Sequence, residues 1–336
     1  MKFKVVYTSV PPIEIDKETL IKLGVEYVER PSPTEDDVIS IAQDADALIA
    51  RGEPCTRRVI SNLKSCRLIV TPKVGYENID VNAATEFGIC VANIPGLSVD
   101  EVSDHAMALL LACSRKILRL DKMVREGKWS VFHGREMQEI WRGISLIRGL
   151  TLGLIGFGAI SKAVVPKAKA FGLKILAHDP FVPTNIMEQS GVEATPLDRL
   201  LKLSDYISIH TPLTSSTRNM LGVEQFKVMK KTAFIINTSR GAVIDESALY
   251  HALVRGDIAG AGLDVLTTEP VSLNNPLLKL DNVILTGHSG HYSDQVWDEQ
   301  ARRPAEEVIR IISGQWPQGW VNPEVKAKFI DRWKMI

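Results

Sequence analysis

Short apolar runs rich in Val and Ile alternate with longer amphipathic stretches along the whole chain. A strand buried on both faces reads as a nearly continuous apolar run. Its alternation with helical periodicity predicts βαβ units and a mostly parallel sheet. Early in the chain strands are expected at 3–8, 26–29, 45–50, 67–72 and 90–93, with helices between them that include 17–23 and 35–43. A turn follows at Ile94-Pro-Gly-Leu-Ser98. Ser98-Val-Asp-Glu101 has a capping-box pattern and opens a long helix expected over 99–119. The middle of that helix is apolar on most sides, which predicts burial. A second βαβ series has strands expected at 151–155, 174–177, 206–210, 233–237, 260–265 and 283–286. Residues 295–312 read as a further helix. Trp316, Trp320 and Trp333 lie beyond it and are expected to pack back onto a domain.

A chain of 336 residues is long enough for two domains. Forty Lys and Arg balance forty Asp and Glu, so no net basic field points to nucleic acid or an anionic membrane. The composition, 45% hydrophobic and 24% charged, is that of an ordinary globular protein. The most apolar run, 106–113, is too short to span a bilayer, and the first residues lack a signal-peptide pattern. Cys55, Cys66, Cys90 and Cys113 have no CxxC spacing. Neither a disulfide framework nor a metal site is expected, and the default setting is cytoplasmic.

Gly156-Phe157-Gly158-Ala159-Ile160-Ser161 sits between an expected strand and an expected helix. The first glycine permits a tight turn, and the second lets a pyrophosphate approach backbone N–H groups at a helix N-terminus. Ser161 replaces the usual third glycine but is small enough for close packing. Asp179 follows the next strand, where an acid accepts hydrogen bonds from the adenosine ribose. Pro180 and Phe181 come next, with no Arg to accept a 2′-phosphate. The series points to NAD rather than NADP.

The later strands end in His210-Thr-Pro212, Asn237-Thr-Ser-Arg-Gly241, Gly262-Leu-Asp264, Glu269-Pro270 and Gly287-His288. Ligands of open α/β sheets bind outside the carboxyl ends of the strands, so these groups should converge. With Val74-Gly-Tyr-Glu-Asn-Ile-Asp80, Thr214 and Leu285-Thr-Gly-His288, they resemble the NAD-dependent D-isomer-specific 2-hydroxyacid dehydrogenases. The resemblance is weak up to Lys73 and strong from Val74 to Pro323. His-Ser-Gly-His-Tyr-Ser at 288–293 and Gly-Gln-Trp-Pro at 314–317 look most like the C-terminal-binding-protein branch, with D-3-phosphoglycerate dehydrogenases as the other near relatives.

The resemblance implies two doubly wound α/β domains. A Rossmann cofactor domain would span 99–291, and a discontinuous flavodoxin-like substrate domain 1–98 with 292–336. It implies hydride transfer between NAD(H) and a small 2-oxo or D-2-hydroxy acid, in a cleft that closes. His288 would be the general acid and base, and Glu269 would hold its ring and favour the protonated form. Arg240 would clamp the substrate carboxylate. The backbone of Val74 and Gly75 would complete that site. Gly156, Phe157, Gly158, Ala159, Ile160, Asp179, His210, Thr211, Pro212, Thr217, Thr238, Ser239 and Gly290 would line the cofactor, and Asp264 would orient the nicotinamide carboxamide. A homodimer through the cofactor domain is implied, with the segment 129–148, including Phe132, His133, Met137 and Trp141, at its interface or packed internally.

Some positions depart from the family pattern. Thr71 stands where corepressor-like relatives carry an arginine, and Lys73 and Arg51 are the nearby basic candidates for substrate binding. Lys73 also reads as a solvated lysine at a strand end. His291 stands where that branch has a Trp over the substrate, which favours a more polar or acidic substrate unless the ring faces solvent. Gly287 replaces a usual Pro and is expected to loosen the backbone. Two other readings remain open: an NAD(H)-sensing corepressor-like protein, and a phosphite- or formate-type dehydrogenase. The intact Arg240, Glu269 and His288 set favours an enzyme over a sensor, which needs only the cofactor site.

Overall fold

A computed structural model describes residues 2–9, 13–129, 138 and 140–334. The chain divides into two compact units, Met1–Leu97 with Ser293–Ile336 and Ser98–Tyr292. Each is built on one parallel sheet, so the expected pair of doubly wound α/β regions is what the chain forms.

Among the described residues, the first unit has five strands: β1 (Lys4–Tyr7), β2 (Glu26–Glu29), β3 (Ala47–Ile49), β4 (Leu68–Val70) and β5 (Cys90–Ala92). They lie parallel in the order β2-β1-β3-β4-β5, the flavodoxin-like arrangement. Side chains alternate between faces. Val5, Tyr7, Ile49, Leu68 and Val70 pack with Val296, Val308 and Ile311 of the helix Asp294–Ile312. Val6, Leu48, Ile69 and Val91 pack on the other face with Val38, Val59 and Ala83. Burial on both faces explains why β3 and β4 read simply Ala-Leu-Ile and Leu-Ile-Val.

The carboxyl-terminal segment covers the edge of this sheet. Val321 N donates to Val91 O and Asn93 N donates to Gly319 O. Fully buried Asn322 accepts from Val91 N at 2.8 Å and donates to Ile89 O at 3.0 Å. These bonds occupy backbone groups that an open edge would expose. Truncating Asn322 would leave them unpaired, at a cost of about 1–3 kcal/mol. Trp316 stacks on Trp320 at 4.3 Å, and Trp333 Nε1 donates to Gly88 O at 3.0 Å. The tryptophan-rich tail is thus part of the first unit's core.

The second unit holds β6 (Thr151–Ile155), β7 (Lys174–His178), β8 (Glu193–Ala194), β9 (Tyr206–Ile209), β10 (Phe234–Asn237), β11 (Gly260–Leu263) and β12 (Val283–Leu285). Their order, β12-β11-β10-β9-β6-β7-β8, is the Rossmann order extended by one parallel edge strand. The order reverses between β6 and β9, which opens a crevice at their carboxyl ends. One face packs Leu152, Leu154 and Ile236 against Ala106, Leu109 and Val164. The other packs Ile155, Ile207 and Ile235 against Leu249 and Leu253.

Three local expectations need correction. The helix expected over 99–119 ends at Val99–Arg115, because Lys116 turns left-handed at φ 52°. That turn lets its ammonium donate to Ile140 O at 2.9 Å and Arg142 O at 2.7 Å, and a new helix runs Ile117–Arg125. Ser98 makes no side-chain cap, because it also sits left-handed at φ 58°. Asp100 and Glu101 still place negative charge at that helix start. Nor is the helix buried all round, since Asp104 and Ala108 are exposed while Ala106, Leu109 and Leu110 are buried. Phe132, His133 and Met137 lie outside the described residues.

Candidate active site

The chemistry-bearing groups of the second unit lie at the carboxyl ends of its parallel strands. Gly156 leaves β6 at φ 88°. A Cβ there would meet His210 O at 2.8 Å, so only glycine suits both the dihedral and the approach. At Gly158 a Cβ would meet nothing within 4 Å, leaving open space in front of the helix Ala159–Ala170. Ser161 fits the third position because its buried hydroxyl donates to Gly156 O at 2.6 Å. The serine therefore staples the turn it was expected only to tolerate.

Asp179, beyond β7, closes on the same turn. Its carboxylate accepts from Phe157 N and from Phe181 N, both at 2.8 Å. His210 ends β9 with Nε2 2.9 Å from Ser208 Oγ. Burial pushes its imidazole down to about 4, so the ring is neutral near pH 7. Thr217 donates to Pro212 O at 2.6 Å and accepts from Thr214 N at 2.7 Å, which closes the turn after Thr211.

The loop after β10 is braced by Asn237. Its amide oxygen accepts from Ser239 N at 3.0 Å and Ser239 Oγ at 2.8 Å, and its amide nitrogen donates to Arg240 O at 3.0 Å. Arg240 Nη1 donates to Ser239 O at 2.8 Å. Gly241 packs so closely that a Cβ would lie 1.9 Å from the Leu266 carbonyl carbon. Glu246 accepts from Thr267 N at 2.9 Å and Asn275 Nδ2 at 2.7 Å, tying down the following loop.

That loop carries Glu269. Its Oε1 accepts from Leu266 N at 3.0 Å, and its Oε2 lies 2.6 Å from His288 Nδ1. An ionised carboxylate accepts only, so Nδ1 carries a proton and donates. His288 Nε2 is the nitrogen left to meet a reacting group. The His288 side chain is 43% exposed, open enough for that. Gly287 at φ 62° and His288 at φ 58° are both left-handed. Proline is locked near −65°, so the residue at 287 sets this turn's hand rather than simply loosening it. The His291 ring lies edge-on to His288, 5.5 Å between centroids, and 3.9 Å from the Tyr292 ring.

Asp264 anchors the loop 286–290. Thr286 Oγ1 donates to its Oδ1 at 2.6 Å, Ser289 N to Oδ1 at 2.9 Å and Gly290 N to Oδ2 at 3.0 Å. Burial alone would raise its pKa, but hydrogen bonds from His105, Thr286, Gly290 and Ser289 hold it well below the carboxylate range. In the first unit, Thr71 is fully buried while Lys73, Val74 and Gly75 follow the carboxyl end of β4. Asn93 Nδ2 donates to Val74 O at 2.6 Å.

The crevice fits a dinucleotide. His210 Nδ1 and Thr238 Oγ1 are buried polar atoms without a hydrogen-bond partner among the described residues. Both stand at the ends of strands next to or near the glycine turn, where a polar cofactor would satisfy them. Ser208, Asn237, Glu246 and Thr286 escaped functional reading of the sequence. Asn237 and Thr286 lay inside recognised motifs, but nothing in the string said that their side chains brace rather than bind.

The family model for "D-isomer specific 2-hydroxyacid dehydrogenase, NAD binding domain" matches residues 107–290. A glyoxylate reductase from Korarchaeum cryptofilum is 41% identical over 298 residues, 87% of each chain. A hydroxypyruvate reductase from Thermotoga maritima is 41% identical over 304 residues, 89% of this chain and 94% of that one. A holo D-mandelate dehydrogenase structure from Rhodotorula graminis superposes with TM-score 0.86 at 26% identity, covering 95% of this chain and 97% of that one. The chain belongs to the D-isomer specific 2-hydroxyacid dehydrogenase family. It is an NAD-dependent oxidoreductase of that family, acting on 2-hydroxy or 2-oxo acids.

Proposed function

We propose that the protein reduces a small, polar 2-oxo acid of the glyoxylate or hydroxypyruvate class, reversibly, to the D-2-hydroxy acid. The observation that carries this reading is the 2.6 Å contact from His288 Nδ1 to Glu269 Oε2, which leaves Nε2 to serve the substrate. When bound, NADH supplies the hydride. Arg240 holds the substrate carboxylate with its planar guanidinium and polarises the carbonyl beside it. His288 delivers a proton from Nε2 to the carbonyl oxygen and takes it back in the reverse direction. Glu269 keeps Nδ1 protonated and fixes the ring. Gly156, Phe157, Gly158, Ala159, Ile160, Asp179, His210, Thr211, Pro212, Thr217, Thr238, Ser239 and Gly290 would hold the cofactor, and Asp264 would orient its nicotinamide carboxamide.

His291 supports a polar substrate. An imidazole 5.5 Å from His288 offers a hydrogen-bonding wall where an indole would offer an apolar one. Similarity to proteins named glyoxylate reductase and hydroxypyruvate reductase points the same way. The homodimer belongs to this proposal, with exposed Trp129 and Trp141 on its cofactor unit as interface groups.

The test is NADH oxidation with glyoxylate, hydroxypyruvate, phenylpyruvate, 2-oxoglutarate and aliphatic 2-oxo acids. The first two should give the highest kcat/KM, and His291→Trp should move preference toward the apolar acids. A wild-type preference for phenylpyruvate, or a profile unmoved by His291→Trp, contradicts the polar assignment.

A further inference from the structure

His105 projects from the helix Val99–Arg115 toward the anchored loop 286–290. Its Nε2 lies 2.8 Å from Thr286 Oγ1 and 3.5 Å from Asp264 Oδ1. The Thr286 hydroxyl has one proton. At 2.6 Å from an ionised carboxylate oxygen, that proton must point to Asp264, since two lone pairs would otherwise face each other. The hydroxyl therefore accepts from His105, and His105 must carry its proton on Nε2. The order of donation is His105 Nε2–H to Thr286 Oγ1–H to Asp264 Oδ1.

The remaining contacts join this chain to the proton-donating histidine. Asp264 O accepts from His288 N at 2.5 Å. Ser289 Oγ donates to Thr286 O at 2.5 Å. A Cβ on Gly290 would lie 2.9 Å from His105 Cδ2 and 3.0 Å from Asp264 Oδ2, so the ring and the loop backbone are in close contact. His288 itself is left-handed, a conformation that persists in a non-glycine residue only where its surroundings over-determine it. The bonds centred on Asp264 provide that constraint, and His105 is their only contributor from outside the two strand ends among the partners named here.

We propose that His105 is a positioning residue: as the Nε2-protonated tautomer it holds Thr286 and Asp264, and through them sets the loop that aims His288. The inference rests on reading His288 as the proton donor. It assigns a specific hydrogen-bonding state to a residue outside the Arg240, Glu269 and His288 set.

The test compares His105→Phe with His105→Gln, and Thr286→Val with Thr286→Ser. Phe and Val keep bulk but break the chain, whereas Gln and Ser keep a donor. His105→Phe and Thr286→Val should each lower kcat on glyoxylate or hydroxypyruvate about tenfold, as a small misaiming of a catalytic group does. NADH affinity, read by its fluorescence, should stay within about twofold of wild type. His105→Gln and Thr286→Ser should keep most of kcat, and the Phe/Val double variant should be no worse than either single one. Long-range proton–nitrogen spectra of the ¹⁵N-histidine-labelled, NADH-free protein should show a proton on His105 Nε2. A His105 with no proton on Nε2, additive losses in the double variant, or full kcat in His105→Phe overturns the proposal. If His105→Phe does not fold, the Thr286 pair decides. A wild-type protein silent on every 2-oxo acid would refute the reaction, while the tautomer would still be read in the free protein.

Discussion

The two units solve the same folding problem and use their strand ends differently. Both bury parallel strands between helices, and both leave a crevice at the carboxyl ends. In the second unit those ends carry side chains braced by other side chains: Asn237 accepts from the Ser239 hydroxyl, Glu269 holds His288, and Asp264 accepts from the Thr286 hydroxyl. At the equivalent ends of the first unit, Glu53 and Asn93 instead tie down loop backbone, and Thr71 is fully buried. Glu53 turns back to accept from Arg51 N at 2.9 Å, and Asn93 secures Val74 O. A sheet with braced side chains is built to place reacting atoms. One with braced backbone is built to present N–H groups and shape. The first unit should therefore tune binding, and the second should determine rate.

Substitutions can break that contrast. Arg240→Gln should have the largest effect, lowering kcat/KM by about 10⁴-fold, because a carboxylate loses its only planar, bidentate partner in the braced loop. Steady-state kinetics on glyoxylate checks this, and a loss under tenfold would move the carboxylate site elsewhere. Glu269→Gln should lower kcat about 10²-fold with little change in NADH affinity, since the ring loses its charged anchor at Nδ1. Gly156→Ala should weaken NADH binding by roughly tenfold or more, since the new methyl meets His210 O at 2.8 Å in a left-handed turn. Gly52→Ala in the first unit meets nothing within 4 Å and should bind NADH as wild type, measured by the same titration. Lys73→Ala should raise KM severalfold and leave kcat within about twofold. If Lys73→Ala instead cuts kcat as deeply as Glu269→Gln, the division of labour is wrong.

The smallest effect sharpens the picture of the crevice. The His210 pKa falls from 6.5 in the unfolded chain to about 4 in the fold, by burial. Between these values the unfolded state binds the proton and the native state does not. Stability is therefore lost as pH falls through 6.5 and levels off below about 4. From about pH 7 to about pH 5 the loss is about 2 kcal/mol. Urea titrations at both pH values should show this in the wild type and a shallower dependence in His210→Gln.

Much of this architecture was legible because its signals are local. A strand buried on both faces announces itself as Ala-Leu-Ile or Leu-Ile-Val, and a glycine at a tight turn before a helix has few other uses. The family resemblance drew attention to Arg240, Glu269 and His288. What stayed hidden depends on groups far apart in the chain. The left-handed turn at Lys116 places its ammonium on carbonyls at 140 and 142, partners that no pattern in 99–119 contains. Ser98 looks like a cap until its left-handed backbone is known. His105 is a lone histidine on an amphipathic helix, and its meaning appears only when Thr286 and Asp264 are folded against it.

The measurement that tests the central claim most directly is the kcat for NADH-dependent reduction of glyoxylate and hydroxypyruvate by wild type and His288→Ala, with NADH affinity measured on both. The wild type should turn over, the variant should be slower by about 10²–10⁴-fold, and NADH binding should be unchanged. Turnover by His288→Ala within a few-fold of wild type would contradict it, because the proton would then come from a group other than the one Glu269 holds.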